Sequence, residues 1–464
     1  MSQTTFHVRV TRPMTSPVRI HVRHYVQALA VLFLTSVGLS WRRLSSGILW
    51  CLASSLVLSW GCGSTSAQED EPVLSQWTVM VYMAGDADIS DAAFADFNEM
   101  EQVGSSTEVR IVAQVEFDPR REPYPPGSTL RGLITPDDDP DAIGSDLADI
   151  GNRDMTNPQT LREFITWAAS RYPARNYLLL LWGHGTGWKP LSFSAMQSKG
   201  MFTDQSSDQT SAGTLMAIGD LAGAILDSGI VFDVINLDAC LMGMYEVAFE
   251  LQDCAHHLSF SQGLYPIHGD PYAEILRSLG ENPRMISREL SRTIVQKTSE
   301  FYEARGVGFT KSSLDLSGLQ DLHEGISRVA DLILLDFDRL SGNVRQARDE
   351  SLHFHITTGQ YTSTDLGDFL TRLGKFTGDE ELDEAVYDLR NLLAECVVEN
   401  GVFSPSMEPL GRSQGLSIYL PAPGEANATD LERYSGLSCN QGSPTTWADL
   451  VTAVVTDGES RYAQ

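Results

Sequence analysis

Two residues able to do covalent chemistry stand at matching places in this chain. Cys240 closes the run Val231-Phe-Asp-Val-Ile-Asn-Leu-Asp-Ala-Cys240, and His184 follows Tyr177-Leu-Leu-Leu-Leu-Trp182 after one glycine. A thiol is nucleophilic only as its thiolate, and an imidazole that titrates near neutrality is well suited to take the proton. Each residue alone has a plainer use, Cys240 as a small buried hydrophobe and His184 as a hydrogen-bonded loop residue. Their shared placement after two apolar runs, in that chain order, favours a nucleophile–base pair.

Both runs have the composition of strands buried on two faces. In open α/β sheets ligands bind at the carboxyl ends of such strands, which is where both residues fall. Past Cys240, residues Leu241, Met244, Val247, Ala248 and Leu251 recur at helical spacing. That predicts a helix opening at Cys240, whose N-terminus would favour the thiolate. His184 lies in Gly183-His-Gly-Thr-Gly-Trp188, where glycines permit close backbone approach. Asp238 precedes Cys240 by two residues and so shares its side of the strand. It can support backbone, orient His184 or line a pocket.

Further strands are expected at Val79–Met83, Val109–Val115, Arg131–Thr135 and His257–Ser261, and helices at Thr160–Tyr172 and Ile218–Leu226. This alternation predicts an α/β fold with a largely parallel sheet flanked by helices. Residues 286–464 read as a mainly helical C-terminal subdomain, with helices at Leu319–Leu334, Val344–Phe354, Glu380–Val398 and Trp447–Val455. Strands are expected there at Gly308–Leu316 and Gly415–Pro421. Between the catalytic strands, residues 189–213 lose all periodicity and read as an exposed loop.

The chain has 464 residues, 42% of them apolar, enough for a large core. Residues 1–61 hold six arginines and no acid, so the remainder carries 27 basic against 61 acidic residues. That balance argues against a nucleic-acid partner, because phosphate binding needs the opposite sign. The basic, twice-apolar segment 1–61 reads as a targeting region, and neither apolar run reaches the ~20 residues that span a bilayer. Its end, Leu58-Ser-Trp-Gly-Cys-Gly63, resembles a bacterial lipoprotein cleavage site. Cys62 would then be acylated and followed by a polar linker over 62–76; a cleaved secretory signal or an uncleaved anchor are the alternatives. Either way the expected location is extracytoplasmic, on a membrane through a lipid anchor or secreted. Cys254, Cys396 and Cys439 are too few for a disulfide scaffold, although a Cys396–Cys439 bridge stays open. Asp86, Asp88 and Ser90 mimic the opening of a calcium loop, but Asp91 and Phe97 at its sixth and twelfth places exclude an EF-hand.

His-Gly-x-Gly-Trp after a strand and Asp-Ala-Cys-Leu-Met-Gly-Met after another closely resemble the clostripain-like cysteine peptidases, relatives of caspases and gingipains. The likeness extends to Trp77-Thr-Val-Met-Val-Tyr-Met-Ala84, Asp365-Leu-Gly-Asp-Phe369 and Gly415-Leu-Ser-Ile-Tyr-Leu-Pro421. It implies a caspase-like peptidase core over 77–285, completed by 286–464. It also implies an endopeptidase that acts through a Cys240 acyl-enzyme, with His184 as acid and base. The backbone N–H groups of Gly185 and Cys240 would form the oxyanion hole. Asp238 would bind a basic P1 side chain, with Asp270 as a second acid, so that the partners are peptides or proteins with Arg or Lys at P1. Gln262 stands where many relatives carry an acid. The resemblance further implies self-cleavage after Lys199, the basic residue in the mobile stretch. No cofactor is required by this chemistry. Calcium is a further option, since some relatives depend on it and Asp137-Asp-Asp-Pro-Asp141 is a carboxylate run. The reading from another class is a surface-anchored binding protein that keeps the fold without turnover.

Overall fold

In β1 (Ser75–Gly85) successive side chains enter opposite layers: Met80 and Tyr82 join one apolar cluster, Val79, Val81 and Met83 the other. The same division holds for Leu179 and Leu181 against Leu178 and Leu180. This is the physical content of an unbroken apolar run: a strand with period-two side chains and helices on both sides. The computed structural model describes residues 74–85, 89–117, 128–189, 216–355, 362–405 and 409–462. The targeting segment with Cys62, Asp86, Asp88 and Lys199 lie outside these residues.

After β1 the chain runs through α1 (Ser90–Glu101), β2 (Val109–Phe117), β3 (Thr129–Leu133), β4 (Ala148–Asp149), α2 (Pro158–Arg171) and β5 (Ala174–Trp182). Then come α3 (Ile218–Asp227), β6 (Phe232–Asp238), α4 (Tyr245–Glu250), β7 (Ala255–Phe260), α5 (Tyr272–Glu281), α6 (Ser287–Arg305) and β8 (Phe309–Asp315). The C-terminal part holds α7 (Leu319–Leu335), α8 (Phe337–Glu350), β9 (His353–His355), β10 (Thr362–Asp365), α9 (Leu366–Phe376) and α10 (Glu380–Cys396). It closes with β11 (Val397–Phe403), β12 (Ser417–Tyr419), α11 (Ala428–Ser435) and α12 (Trp447–Tyr462).

The main sheet has the order β11-β8-β7-β6-β5-β1-β2-β3-β4. Its five central strands, from β7 to β2, are mutually parallel, and antiparallel strands extend both edges. The largely parallel sheet expected from the sequence is thus its centre. Residues 286–464 are mainly helical, yet they also supply β8 and β11 to this sheet. The segment Gly415–Pro421 contributes β12 to a separate small sheet, β12-β10-β9. Glu380–Val398 stops being helical at Cys396, where Val397 turns extended and pairs with Leu314 of β8. Among the described residues no helix is long and apolar enough to cross a membrane.

Candidate active site

The register of β5 against β6 positions the site. Trp182 pairs with Asp238 at the carboxyl ends of these adjacent parallel strands. His184 and Cys240 each lie two residues beyond that pair, so the sheet delivers both to one place. Gly183 N–H donates to the Asp238 carbonyl at 3.2 Å and holds the first step of the His184 loop to the neighbouring strand. Gly185 packs directly on the Cys240 backbone, where an added Cβ would stand 2.4 Å from the Cys240 carbonyl oxygen and 2.8 Å from Ala239 Cβ. Only glycine fits there. His184 and Cys240, both half-buried, line one cavity of about 210 Å³ together with Asp238, Trp182, Tyr265, Ile267 and Gly269.

The expectation of a helix opening at Cys240 needs correction. The helix α4 starts at Tyr245, and residues 241–244 form an irregular turn. Leu241 adopts φ 62°, the one non-glycine positive φ among the described residues. Its N–H donates to Gly263 O at 2.9 Å, and Gly243 N–H to Ser261 O at 2.7 Å. These bonds lead the chain along the segment after β7 rather than into a helix, so the dipole argument for the thiolate does not apply. Instead the Tyr265 backbone N–H donates to Cys240 Sγ at 3.2 Å, and the thiol lies 3.9 Å from the Tyr265 carbonyl. A backbone donor aimed at sulfur favours the thiolate over the thiol.

Asp238 is buried at the cavity wall. Its Oδ2 accepts from the Asp270 backbone N–H at 2.9 Å and from the Tyr272 hydroxyl. Burial, and next the neighbouring Asp270, push its carboxyl up to about 7, against the pull of Lys311. Asp270 does not line the cavity. It is fully buried and forms a 2.8 Å ion pair with Lys311 Nζ, itself without exposure. It also accepts from Asn236 at 2.8 Å, Thr298 at 2.9 Å and the Tyr265 hydroxyl. Its place is one layer behind the pocket, with its charge already matched. Gln262 is also outside the cavity. Its amide bonds Asp365 at 3.0 Å and accepts from Gly415 N–H at 3.1 Å and Ser413, tying the turn after β7 to the C-terminal part.

The C-terminal part closes over both motifs. Ser417 donates through its N–H and its hydroxyl to Gly243 O, each at 2.9 Å. Trp188, from the His184 motif, packs edge-on against Tyr419 and tilted against Tyr434, with ring centroids 5.0 Å from each. Glu246 Oε1, fully buried, accepts from Tyr419 N–H at 2.8 Å and the Tyr434 hydroxyl at 2.7 Å. The neighbouring Lys189 is held by Asp430 at 2.8 Å. None of the four described cysteines is in a disulfide, so the Cys396–Cys439 bridge is not formed, and Cys254, Cys396 and Cys439 are buried. Among the described residues no group of three or more His, Cys, Asp or Glu side chains converges as a metal site. In the Asp137–Asp141 run, Asp139 caps the Asp141 N–H at 3.0 Å.

The family model of the clostripain family, a peptidase family, matches residues 81–451. The chain belongs to the clostripain family. Clostripain of Hathewaya histolytica is 29% identical over 96 residues, which cover 21% of this chain and 18% of that protein. The chain therefore matches only a small share of that relative's length. The structure of an inactive zymogen C11 protease from Parabacteroides distasonis superposes with a TM-score of 0.60 at 22% identity, covering 80% of this chain and 98% of that one. A secreted C11 cysteine protease from Bacteroides thetaiotaomicron, solved with an irreversible peptide inhibitor, gives 0.57 at 20% identity, covering 83% and 100%. At these identities the structures speak for the fold, which is that of the clostripain family across the sheet and its flanking helices. Two residues of this clostripain-family site escaped the reading of the sequence. Tyr265 acts through its backbone N–H, which carries no residue-specific signal. Asp96, on α1, reaches the site from well upstream in the chain, and nothing in its local spacing marked it for burial.

Proposed function

We propose that the protein is a cysteine endopeptidase cleaving after Arg or Lys. The carrying observation is that His184, Cys240 and Asp238 line one cavity at adjacent strand ends. The Cys240 thiolate, hydrogen-bonded by Tyr265 N–H, attacks the scissile carbonyl. The N–H groups of Gly185 and Cys240 receive the developing oxyanion. His184 protonates the leaving amine and then activates the water that releases the acyl group. Asp238 receives the P1 guanidinium or ammonium, because a desolvated carboxylate suits a bidentate donor and repels acidic side chains. Asp270 backs Asp238 through its N–H rather than meeting the substrate.

Self-processing after Lys199 fits this specificity. Lys199 is one of two basic residues between His184 and Cys240. The other, Lys189, is buried and paired with Asp430, which protects it from cleavage. The segment before Gly61-Cys62 favours export, with Cys62 acylated at the membrane. The deciding experiment assays mature protein against fluorogenic peptides with Arg, Lys, Asp or Asn at P1. Activity confined to Arg and Lys, and lost in Cys240→Ala, is the expected result; preference for Asp or Asn would overturn the specificity.

A further inference from the structure

Behind the pocket wall lie more buried carboxyl groups than cations. Asp238, at the end of β6, and Asp96, on α1, converge on Gly269 from two elements. A Cβ at Gly269 would stand 2.8 Å from Asp238 Oδ2 and 2.5 Å from Asp96 Oδ2. These two oxygens are therefore at most about 5.3 Å apart, the two reaches laid end to end. Both residues are almost fully buried, Asp96 at 2% and Asp238 at 4% exposure. Gly269 and Trp182 both line the cavity, and the Trp182 indole N–H donates to Asp96 Oδ2 at 2.7 Å, so Asp96 lies directly behind the wall.

The charged and titratable groups facing this pair come from every neighbouring element. From α1 there is Glu99, which accepts the Tyr272 N–H at 3.0 Å. From the turn after β7 and the start of α5 come Tyr265, Asp270 and Tyr272. From α6 comes Tyr302, whose hydroxyl donates to Gly269 O, while the exposed Arg305 acts on Glu99. From β8 comes Lys311, the buried cation of this set, committed to Asp270 at 2.8 Å. Three buried acids thus share one matched ammonium, and two carboxylates this close in a dry site do not both stay ionised. Burial and then Asp238 push the Asp96 carboxyl well above its ordinary range, in keeping with this geometry.

We propose that Asp96 is a positioning residue of the P1 pocket: with the pocket empty, Asp96 and Asp238 hold one proton between them, and an entering basic P1 side chain displaces that proton to water. The inference rests on the P1 reading above. The positive charge of the guanidinium or ammonium replaces that of the proton, so the pair never carries two uncompensated charges. Uptake of a basic residue is therefore stronger at higher pH and weakens by up to about tenfold per pH unit below the titration of the pair. A neutral P1 side chain displaces no proton and lacks this dependence.

Two measurements test the coupling. In the first, Cys240→Ala protein is titrated by calorimetry at pH 8, where Asp238 alone has already lost its proton, with a peptide amide carrying arginine at P1, in phosphate and in Tris. The difference between the two buffers counts protons. Release close to one proton per peptide is expected, and well under half of one when Asp96→Asn is added, since the amide still accepts from Trp182 but holds no proton. In the second, the ratio of kcat/KM for P1-arginine over P1-citrulline substrates is followed from pH 8 to 9, above the titration of Asp238 alone, which cancels titration of His184 and Cys240. It should rise about tenfold in wild type and stay nearly flat in Asp96→Asn. If arginine peptides bind without proton release, or both enzymes give superimposable ratios, the coupling is wrong while the P1 reading stands. If arginine peptides neither bind nor are cleaved at any pH, the P1 reading fails and takes the inference with it. Should Asp96→Asn not fold, the proton count on the Cys240→Ala protein alone decides.

Discussion

Tyr265 serves the site twice, its backbone N–H donating to Cys240 and its hydroxyl to Asp270. Tyr265→Phe removes only the second bond. It should lower stability by about 1–2 kcal/mol in chemical denaturation, yet leave the alkylation rate of Cys240 unchanged. Alkylation also separates the cysteines. Burial pushes Cys254 up to about 12 and Cys396 up to about 11, and raises Cys439 well above the thiol range, so little thiolate exists there near neutral pH. Iodoacetamide at pH 7.5 should therefore label Cys240 and spare these three in the native protein, as read by peptide mass spectrometry. Replacement of Cys240 or His184 by alanine should each cut turnover by at least about 10³-fold, since a nucleophile and its base fail as a unit. Asp238→Ala should lower kcat/KM for P1-arginine peptides by between about tenfold and several-thousandfold, with far smaller loss for neutral P1. At this scale the sequence showed His184 and Cys240 as a pair because each follows an apolar run. It hid Asp96 and the ion pair of Asp270 with Lys311, because those depend on convergence of α1, the turn before α5 and β8 that no local spacing encodes.

Two adjacent strands and two glycine-rich turns make the site, and Gly185 is where the turns meet. An added methyl group there must displace the Cys240 backbone. Gly185→Ala should reduce kcat/KM by about 10²-fold or more at little cost to overall folding, because a small misplacement of reacting groups is expensive in rate. A circular dichroism spectrum matching wild type beside such a loss is the expected pairing; full activity would show that the turns pack less tightly than this. The strands β1, β5 and β6 were legible as apolar runs, and β7 was expected nearby as a further strand. The two-residue β4 was not, being short and polar, and the starts of β9 and β11 were read as the ends of helices. The helical spacing after Cys240 was real as a pattern of burial, but Leu241 and the bonds to Ser261 and Gly263 impose a turn first.

At the scale of the whole molecule, several acids among the described residues are buried with no cation among their hydrogen-bond partners. Glu246 is pushed up to about 7 by burial, and Asp365 to about 6 for the same first reason. In the unfolded chain such groups lose their protons near pH 4, whereas the folded protein keeps them until about 6–7. The native state then binds more protons over that window, so stability should fall as pH rises from about 4.5 to 7. Glu246→Gln keeps the acceptor for Tyr419 and Tyr434 and removes the titration. It should flatten the course of Tm against pH, sparing up to about 3 kcal/mol at the alkaline end. An unchanged slope would mean that Glu246 is ionised in the native protein.

The neighbouring positions of β5 and β6 decide the fate of a chain cut at Lys199. The cut falls in the link between two strands at the centre of one sheet, so each product carries one half of a continuous hydrogen-bonded seam. The products should migrate together through a sizing column and part only in denaturant. Their reassembly would then be a second-order process. Recovery of activity after dilution from urea should slow as the protein concentration is lowered for the cut enzyme and be independent of it for the intact chain. An exported protease matured in this way would have exchanged a reversible fold for one it can lose once, at the low concentrations it meets outside the cell.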